Sequence, residues 1–514
     1  MLQRQLFRLI IPAHPYKNVF SAVASRMTSL GPVLVATCVN KAFADADVEV
    51  IDENNYIGPR DEKDLPDHQA LQEQRQAQFV GFYCSLTSTM PRVFQLAKFY
   101  KSQNALTIGG GAHISYAVEE ALQNGFDIVV RGEGEEAIVQ ILKAAKKNQS
   151  WEKIEGISYK RNGKIYHNAP KKLEICELDN LPYPDFGLLR WAKKMVFYPL
   201  NRTRGCSRRC EFCTVNNTPR WVEPEKTFDN IVWLVQSRKA RHFFIVDDRL
   251  NEDAEGTKKL FGLLAQARES GKLPKKLSFT IQIRLEAARE TELLKLMHRA
   301  GVRTVCIGYE SPIEQELKAM RKGIRPEDMV NFTKEFKKHG FWVHAMMIFG
   351  YPSQDNSVAL TAKERMNEFK KFIRKAKPDT VQVLLATPIP STELFERLEK
   401  QGRIFPRKIV GWENYDGGHL CFEPDPPMTA LEVQQASIAI MDWFYSSWNF
   451  WKIPLLIFAF PFTVPFSFSG WYRRWRNSIW GYAGHRIVKQ WMKLHEKSEW
   501  LKRLATVQKQ IILQ

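Results

Sequence analysis

A chain of 514 residues with 44% hydrophobic and 25% charged residues has the composition of a globular protein of two or three domains, which excludes a disordered or fibrous chain. Eight irregularly placed cysteines exclude a secreted disulfide framework, and MLQRQLFRLIIPAHP lacks a signal-peptide pattern, so a reducing, cytoplasmic setting is expected. A formal net charge of +19 asks for an anionic partner, either nucleic acid or a membrane surface.

In chain order, the apolar runs from Leu6 to Ile11 and from Val48 to Ile51 read as buried strands, the second tipped by Asp52 and Glu53. Phe79 to Tyr83, Leu106 to Ile108 and Ile128 to Val130 repeat the pattern, with amphipathic stretches such as Arg92 to Lys101 between them. This alternation predicts a doubly wound parallel sheet, whose ligands bind beyond the carboxyl ends of the strands. Those ends are Pro12 to His14, Cys84 to Ser88, Gly109 to His113 and Arg131 to Glu135. Glycines 109 to 111 either make a tight turn or let a flat ligand or a phosphate approach the backbone.

The stretches GPVLVATCVNKAFADADVEVIDENN, FVGFYCSLTSTMPRVFQLAKFY, LTIGGGAHISYAVEEAL and DIVVRGEGEEAIVQILKA together resemble the cobalamin-binding domain of radical S-adenosylmethionine (SAM) enzymes. The resemblance implies a Rossmann-like domain over residues 1–145, with His14, Ser85, Leu86, Gly110, Gly111, His113, Gly132 and Glu133 toward the corrin. The Asp-x-His-x-x-Gly loop that supplies a cobalt ligand in many cobalamin domains is missing, and Cys84-Ser85-Leu86 stands where Ser-x-Leu is common. Cobalamin would therefore lack that lower ligand, and a domain that binds nothing stays open.

Residues 146–194 read as a linker, in which Pro182 and Pro184 exclude a helix interior. After a short strand from Val196 to Asn201, Thr203-Arg204-Gly205 leads into Cys206, Cys210 and Cys213. Structural zinc asks for four protein ligands, whereas an iron-sulfur cube on three thiolates keeps one iron open. The spacing Cys-x3-Cys-x2-Cys, with Phe212 inside it, resembles the defining motif of the radical SAM superfamily. The resemblance implies a 4Fe-4S cluster whose open iron chelates SAM, and a one-electron reductant of flavodoxin or ferredoxin type.

His242 to Val246, Ser278 to Ile283, Thr304 to Tyr309, Val343 to Phe349 and Thr380 to Leu385 add five strands separated by helical stretches. Together with the strand before the cysteines they predict a partial (β/α)6 TIM-type barrel over residues 195–405, with chemistry at the carboxyl ends. The stretches FFIVDDRLN, VCIGYESPIEQELKAMRKG, MMIFGYPSQD and ATPIPSTELFERLEKQGRI are similar to barrel segments of the same enzymes. On that likeness Asp247 and Asp248 lie near the SAM amino group, and Arg284 and Glu310 near its carboxylate or ribose. Cys38, Cys84, Cys176, Cys306 and Cys421 lack cluster spacing, so a second cluster is not expected.

Residues 406–514 read as a C-terminal helical, membrane-associating region. Residues 453–472, IPLLIFAFPFTVPFSFSGWY, carry no charge, and Pro454, Pro461 and Pro465 favour a broken interfacial segment over a straight span. Trp448, Trp451, Trp471, Trp475 and Trp480 surround it, and Arg473, Arg474, Arg476, Arg486, Lys489 and Lys493 follow. These are the headgroup-level aromatics and lipid-attracting charges of a peripheral protein on the cytoplasmic membrane face; no nucleic-acid module is present. The expectation is a cobalamin-dependent radical methyltransferase acting on a lipid or isoprenoid-like substrate. A radical cyclase, oxidase or carbon-carbon coupling enzyme, and a membrane-bound iron-sulfur electron carrier, remain the alternatives.

Overall fold

Strand β1 (Gln5–Ile11) divides its side chains between two cores: Phe7, Leu9 and Ile11 belong to one, Leu6 and Ile10 to the other. The computed structural model describes residues 4–15, 24–171, 175–215, 217–354 and 358–445, with a few more between 486 and 505. β1 pairs in parallel with β2 (Ala46–Asp52) and β3 (Phe79–Tyr83); β4 (Leu106–Gly110) and β5 (Ile128–Val130) continue the parallel ladder. Helices Leu30–Ala42 and Glu135–Lys146 bring Ala36, Val39, Ile138 and Ile141 to the Phe7 face, and helix Met90–Ser102 brings Val93, Leu96 and Tyr100 to the Leu6 face. The strand order β2-β1-β3-β4-β5 reverses direction between β1 and β3, which opens a crevice at their carboxyl ends.

Residues 146–194, expected as a linker, carry more structure than that. β6 (Ile157–Arg161) and β7 (Lys164–His167) form a hairpin that adds to β5 antiparallel and extends the sheet to seven strands. Asn162 and Gly163 at its tip have φ of 50° and 78°, the left-handed pair that a two-residue hairpin needs. The segment beyond Pro184 then returns to the sheet, where Arg190 N–H donates to the Val50 carbonyl at 3.0 Å.

The second sheet starts at β8 (Phe197–Leu200), followed by a two-stranded antiparallel ribbon, β9 (Thr203–Arg204) and β10 (Arg220–Trp221), which brackets the cysteine loop. β11 (His242–Ile245), β12 (Ser278–Gln282), β13 (Val302–Glu310), β14 (Trp342–Phe349) and β15 (Thr380–Leu385) complete six parallel strands in sequence order. β14 alternates: Phe349 meets Phe369 of the outer helix Ala362–Ala376, so Val343, Ala345 and Met347 face outward with it. Trp342, His344, Met346 and Ile348 are half-buried and line the inner face. β8 and β15 lie at the two edges of this sheet.

Past β15 the chain crosses back to the first sheet. Trp412 sits edge-on to His113 at 4.9 Å and donates its indole N–H to Glu120 at 3.0 Å. Helix Ala430–Phe444, opened by a Thr429/Glu432 capping box, packs on β15, where the Tyr445 hydroxyl donates to the Val381 carbonyl at 2.9 Å. Farther along, Trp500 donates to Gln434 at 3.0 Å. The apolar stretch 453–472 and its tryptophans lie outside the described residues; among the described residues no helix is long and apolar enough to cross a membrane. Of the basic residues expected to meet lipid, Lys489 pairs with Asp442.

Candidate functional site

The cysteine loop begins at Gly205, whose φ is +87° and where a Cβ would stand 2.7 Å from the carbonyls of Asn217 and Thr218, so the turn needs glycine. Cys206, Cys210 and Cys213 are free and half-buried, and the Cys213 N–H donates to the Cys210 carbonyl at 3.0 Å. Among the described residues no three His, Cys, Asp or Glu side chains form a single-ion site. Three thiols on one loop fit the larger cluster instead.

Four residues were expected beside this loop. Asp248 accepts from the Gly205 N–H at 2.8 Å and stays exposed at the barrel mouth. Arg284 pairs with Glu286 at 2.7 Å; burial works against its charge, but Glu286 and the nearby Cys210 and Cys206 favour it. Asp247, by contrast, is fully buried and accepts from the Arg202 N–H at 2.6 Å, so it anchors the backbone under the loop. Glu310 turns the end of β13 at φ +59° and is held by Lys322 at 2.5 Å, which leaves its carboxylate engaged.

At the carboxyl ends of the first sheet, Gly111 has φ +139°, and a Cβ there would stand 2.5 Å from the Ser85 nitrogen. The loops after β3 and β4 therefore touch. Leu86 and Tyr116 are each 45% exposed on this face, Gly110 is half-buried, and Gly132 opens onto free space at φ +99°. Small backbone and exposed apolar surface together suit a broad planar ligand. His14 sits half-buried at the end of β1, its N–H donating to Asn54 at 3.1 Å. His113 departs from expectation: it is 1% exposed beneath Trp412, bonded through Nδ1 to Thr87 at 3.1 Å, and burial lowers it to about 4. It is a neutral packing residue and does not present to the open face. Glu133 departs as well, because it is ion-paired to Arg204 and Arg220.

Arg204, two residues before Cys206, also pairs with Glu135 at 2.7 Å. The β5 loop of the first sheet is thereby tied to the ribbon that carries the cysteines. Sequence reasoning missed this tie, and it missed Glu211, Tyr351 and Arg397 beside the cysteines. Also missed was His344 on the inner face of the barrel, bonded to Thr380 at 2.9 Å and kept neutral by burial. The period-two alternation of β14 marks His344 and could have found it; the ion pairs join residues far apart in sequence and leave no local signal.

Residues 20–142 match the family model of the B12 binding domain, and residues 200–364 match that of the radical SAM superfamily. This chain is a radical SAM enzyme with a B12 binding domain. The enzyme is 27% identical over 389 residues to an uncharacterised methyltransferase of Pyrococcus horikoshii, covering 73% of this chain and 80% of that protein. It is 26% identical over 318 residues to an anaerobic magnesium-protoporphyrin IX monomethyl ester cyclase of Cereibacter sphaeroides, 59% of this chain but only 50% of that protein. Its fold is similar to that of the radical SAM methyltransferase TsrM from Kitasatospora setae, solved with cobalamin and a [4Fe-4S] cluster bound. That match has a TM-score of 0.63 at 16% identity, covering 78% of this chain and 75% of that one.

The tip of β2 supports the strand-end loops of the first sheet, Glu53 accepting from the Ala13 N–H at 2.7 Å, and carries two carboxyls with opposite behaviour. Burial pushes Asp52 up to about 6 against hydrogen bonds from the Asn54 backbone and side-chain N–H groups. Burial opposes the Glu53 charge too, but His68 and Arg92 overcome it and hold Glu53 at about 2. Glu53 thus contributes stability that is present above its unfolded value and lost as pH falls toward 2; Asp52 costs stability at neutral pH, relieved as pH falls through 6. Asp52→Asn is expected to stabilise the first sheet by about 2 kcal/mol at pH 7.5 and to abolish the gain in melting temperature between pH 7 and 5. Glu53→Gln should lower the melting temperature at pH 7.5. Calorimetric scans across that range check both.

Proposed function

We propose that this enzyme is a cobalamin-dependent C-methyltransferase acting on an apolar, lipid- or isoprenoid-like substrate. The observation that carries the reading is the Arg204 pairing with Glu133 and Glu135, which sets the cysteine loop beside the strand-end face of the B12 binding domain. Cys206, Cys210 and Cys213 would hold the 4Fe-4S cluster, with Asp248 and Arg284 at the mouth for SAM. Ser85, Leu86, Gly110, Gly111 and Gly132 would face cobalamin. When bound, these groups supply a carbon-centred radical and a methyl donor, the two components that methylation of an unactivated carbon requires.

The chain's own part is to orient the substrate and exclude water. Trp342, Met346 and Ile348 give the barrel an apolar inner wall, while neutral His344 and Gln382, 3.3 Å apart, supply a polar handle. That lining supports a largely apolar substrate with one hydrogen-bonding group. The uncharged sequence 453–472 supports delivery of such a substrate from a membrane surface, and a flavodoxin- or ferredoxin-type protein would supply the electron.

The test is anaerobic purification, reconstitution with iron, sulfide and hydroxocobalamin, and assay of bacterial lipid extracts with methyl-labelled SAM. Near-stoichiometric corrin with label in an extractable lipid is the expected result. Label confined to SAM products, with cyclised or unsaturated product, favours the cyclase reading that the Cereibacter relative supports. Gly111→Ala should cut corrin affinity about tenfold, because its Cβ displaces the Ser85 loop at a strained φ. Absorbance titration of the cluster-free chain with hydroxocobalamin measures that loss.

A further inference from the structure

The cysteine loop follows β8, one edge of the open barrel, and its midpoint is held by elements from the opposite edge. Glu211, between Cys210 and Phe212, is 3% exposed. Its carboxylate accepts three hydrogen bonds: from the Tyr351 hydroxyl at 2.5 Å, and from Arg397 at 2.7 and 3.1 Å, one to each oxygen. Tyr351 lies in the loop after β14, and Arg397 on the helix Glu393–Lys400 that follows β15. The Glu211 backbone is held as well, its carbonyl accepting from Leu394 N–H at 3.1 Å and its N–H donating to the Met320 carbonyl at 3.3 Å. Arg397 completes the junction by donating to the carbonyls of Pro352 and Ser353.

We propose that Glu211 is a positioning residue, a clasp that spans the mouth of the incomplete barrel and holds the three cysteines in their cluster-ready arrangement before any metal binds. The loop itself has almost no regular secondary structure, so this buried carboxylate is what fixes its middle. The cluster-holding part of the proposal rests on the reading above.

Glu211→Gln preserves volume but presents one acceptor oxygen where three donors converge, and its amide N–H groups face the arginine. In the metal-free full chain, alkylation of Cys210 and Cys213 by iodoacetamide, followed by peptide mass spectrometry, is expected to accelerate about tenfold in E211Q. After reconstitution, the EPR signal of the reduced cluster should broaden and lose its shift on adding SAM. Y351F keeps the arginine fork and should give a smaller acceleration; it carries the test if E211Q does not fold by circular dichroism. Combining E211Q with R397A should add nothing to the alkylation rate, because both act through one junction. Alkylation rates and EPR spectra equal to wild type in E211Q, or a rate in a folded Y351F equal to wild type where E211Q is unfolded, overturn the clasp. A wild-type chain that takes up no iron overturns the functional reading instead, and the alkylation comparison still decides the clasp.

Discussion

Replacing any one of Cys206, Cys210 or Cys213 by alanine is expected to abolish reductive cleavage of SAM, to the level of a protein-free control, while leaving corrin binding intact. The three half-buried thiols are the cluster's whole protein ligand set in the proposed reading, and loss of one leaves a second iron without a thiolate. The reconstituted wild type should hold about four irons per chain, and each variant about one or fewer. Corrin should remain because Ser85, Gly110 and Gly111 belong to a different sheet, one face of which packs a core separate from the barrel. The control is Cys306→Ala: Cys306 is 9% exposed within β13, burial pushes its thiol up to about 12, and its iron content should match wild type. Iron by chromogenic assay, corrin by absorbance and 5′-deoxyadenosine by chromatography separate the outcomes. A C213A variant that still releases 5′-deoxyadenosine would remove the loop from the chemistry.

The fold was legible where burial writes a local pattern. All six barrel strands stand within about two residues of their expected bounds, because a strand covered by helices must be a short apolar run ended by polar groups. The β6–β7 hairpin was equally legible from Asn162-Gly163 between alternating residues, but the prolines farther along drew the whole stretch toward a linker. The site was legible only in part. Cysteine spacing is a local signal; whether a charged residue at a strand end is free is not. Asp247 and Asp248 are neighbours in sequence, yet one is fully buried against the Arg202 backbone and the other exposed at the mouth, since adjacent residues leaving a strand point to opposite sides. Glu310 reads as a free carboxylate until Lys322 is seen to hold it, and His113 as a surface histidine until Trp412, almost 300 residues away, covers it. Partners brought by the fold from distant sequence are what composition and spacing do not encode.

Arg365 carries the largest expected stability effect. It lies on the helix Ala362–Ala376 with its side chain fully buried, paired to the equally buried Glu316, and it donates to the Val358 carbonyl at 3.1 Å. Glu316 accepts from the Ser311 hydroxyl, and Ser311 follows Glu310 at the end of β13, so the pair braces the rim from behind. Arg365→Ala removes one partner and leaves a carboxylate without counter-charge in the interior, which costs about 3–5 kcal/mol. Denaturant unfolding of the variant and the wild type at pH 7.5 measures that loss. Arg365→Met combined with Glu316→Leu replaces the pair by apolar volume and should recover most of the loss. If the double variant is as unstable as Arg365→Ala, the contribution is the arginine's packing and its bonds to backbone carbonyls, and not the charge pair.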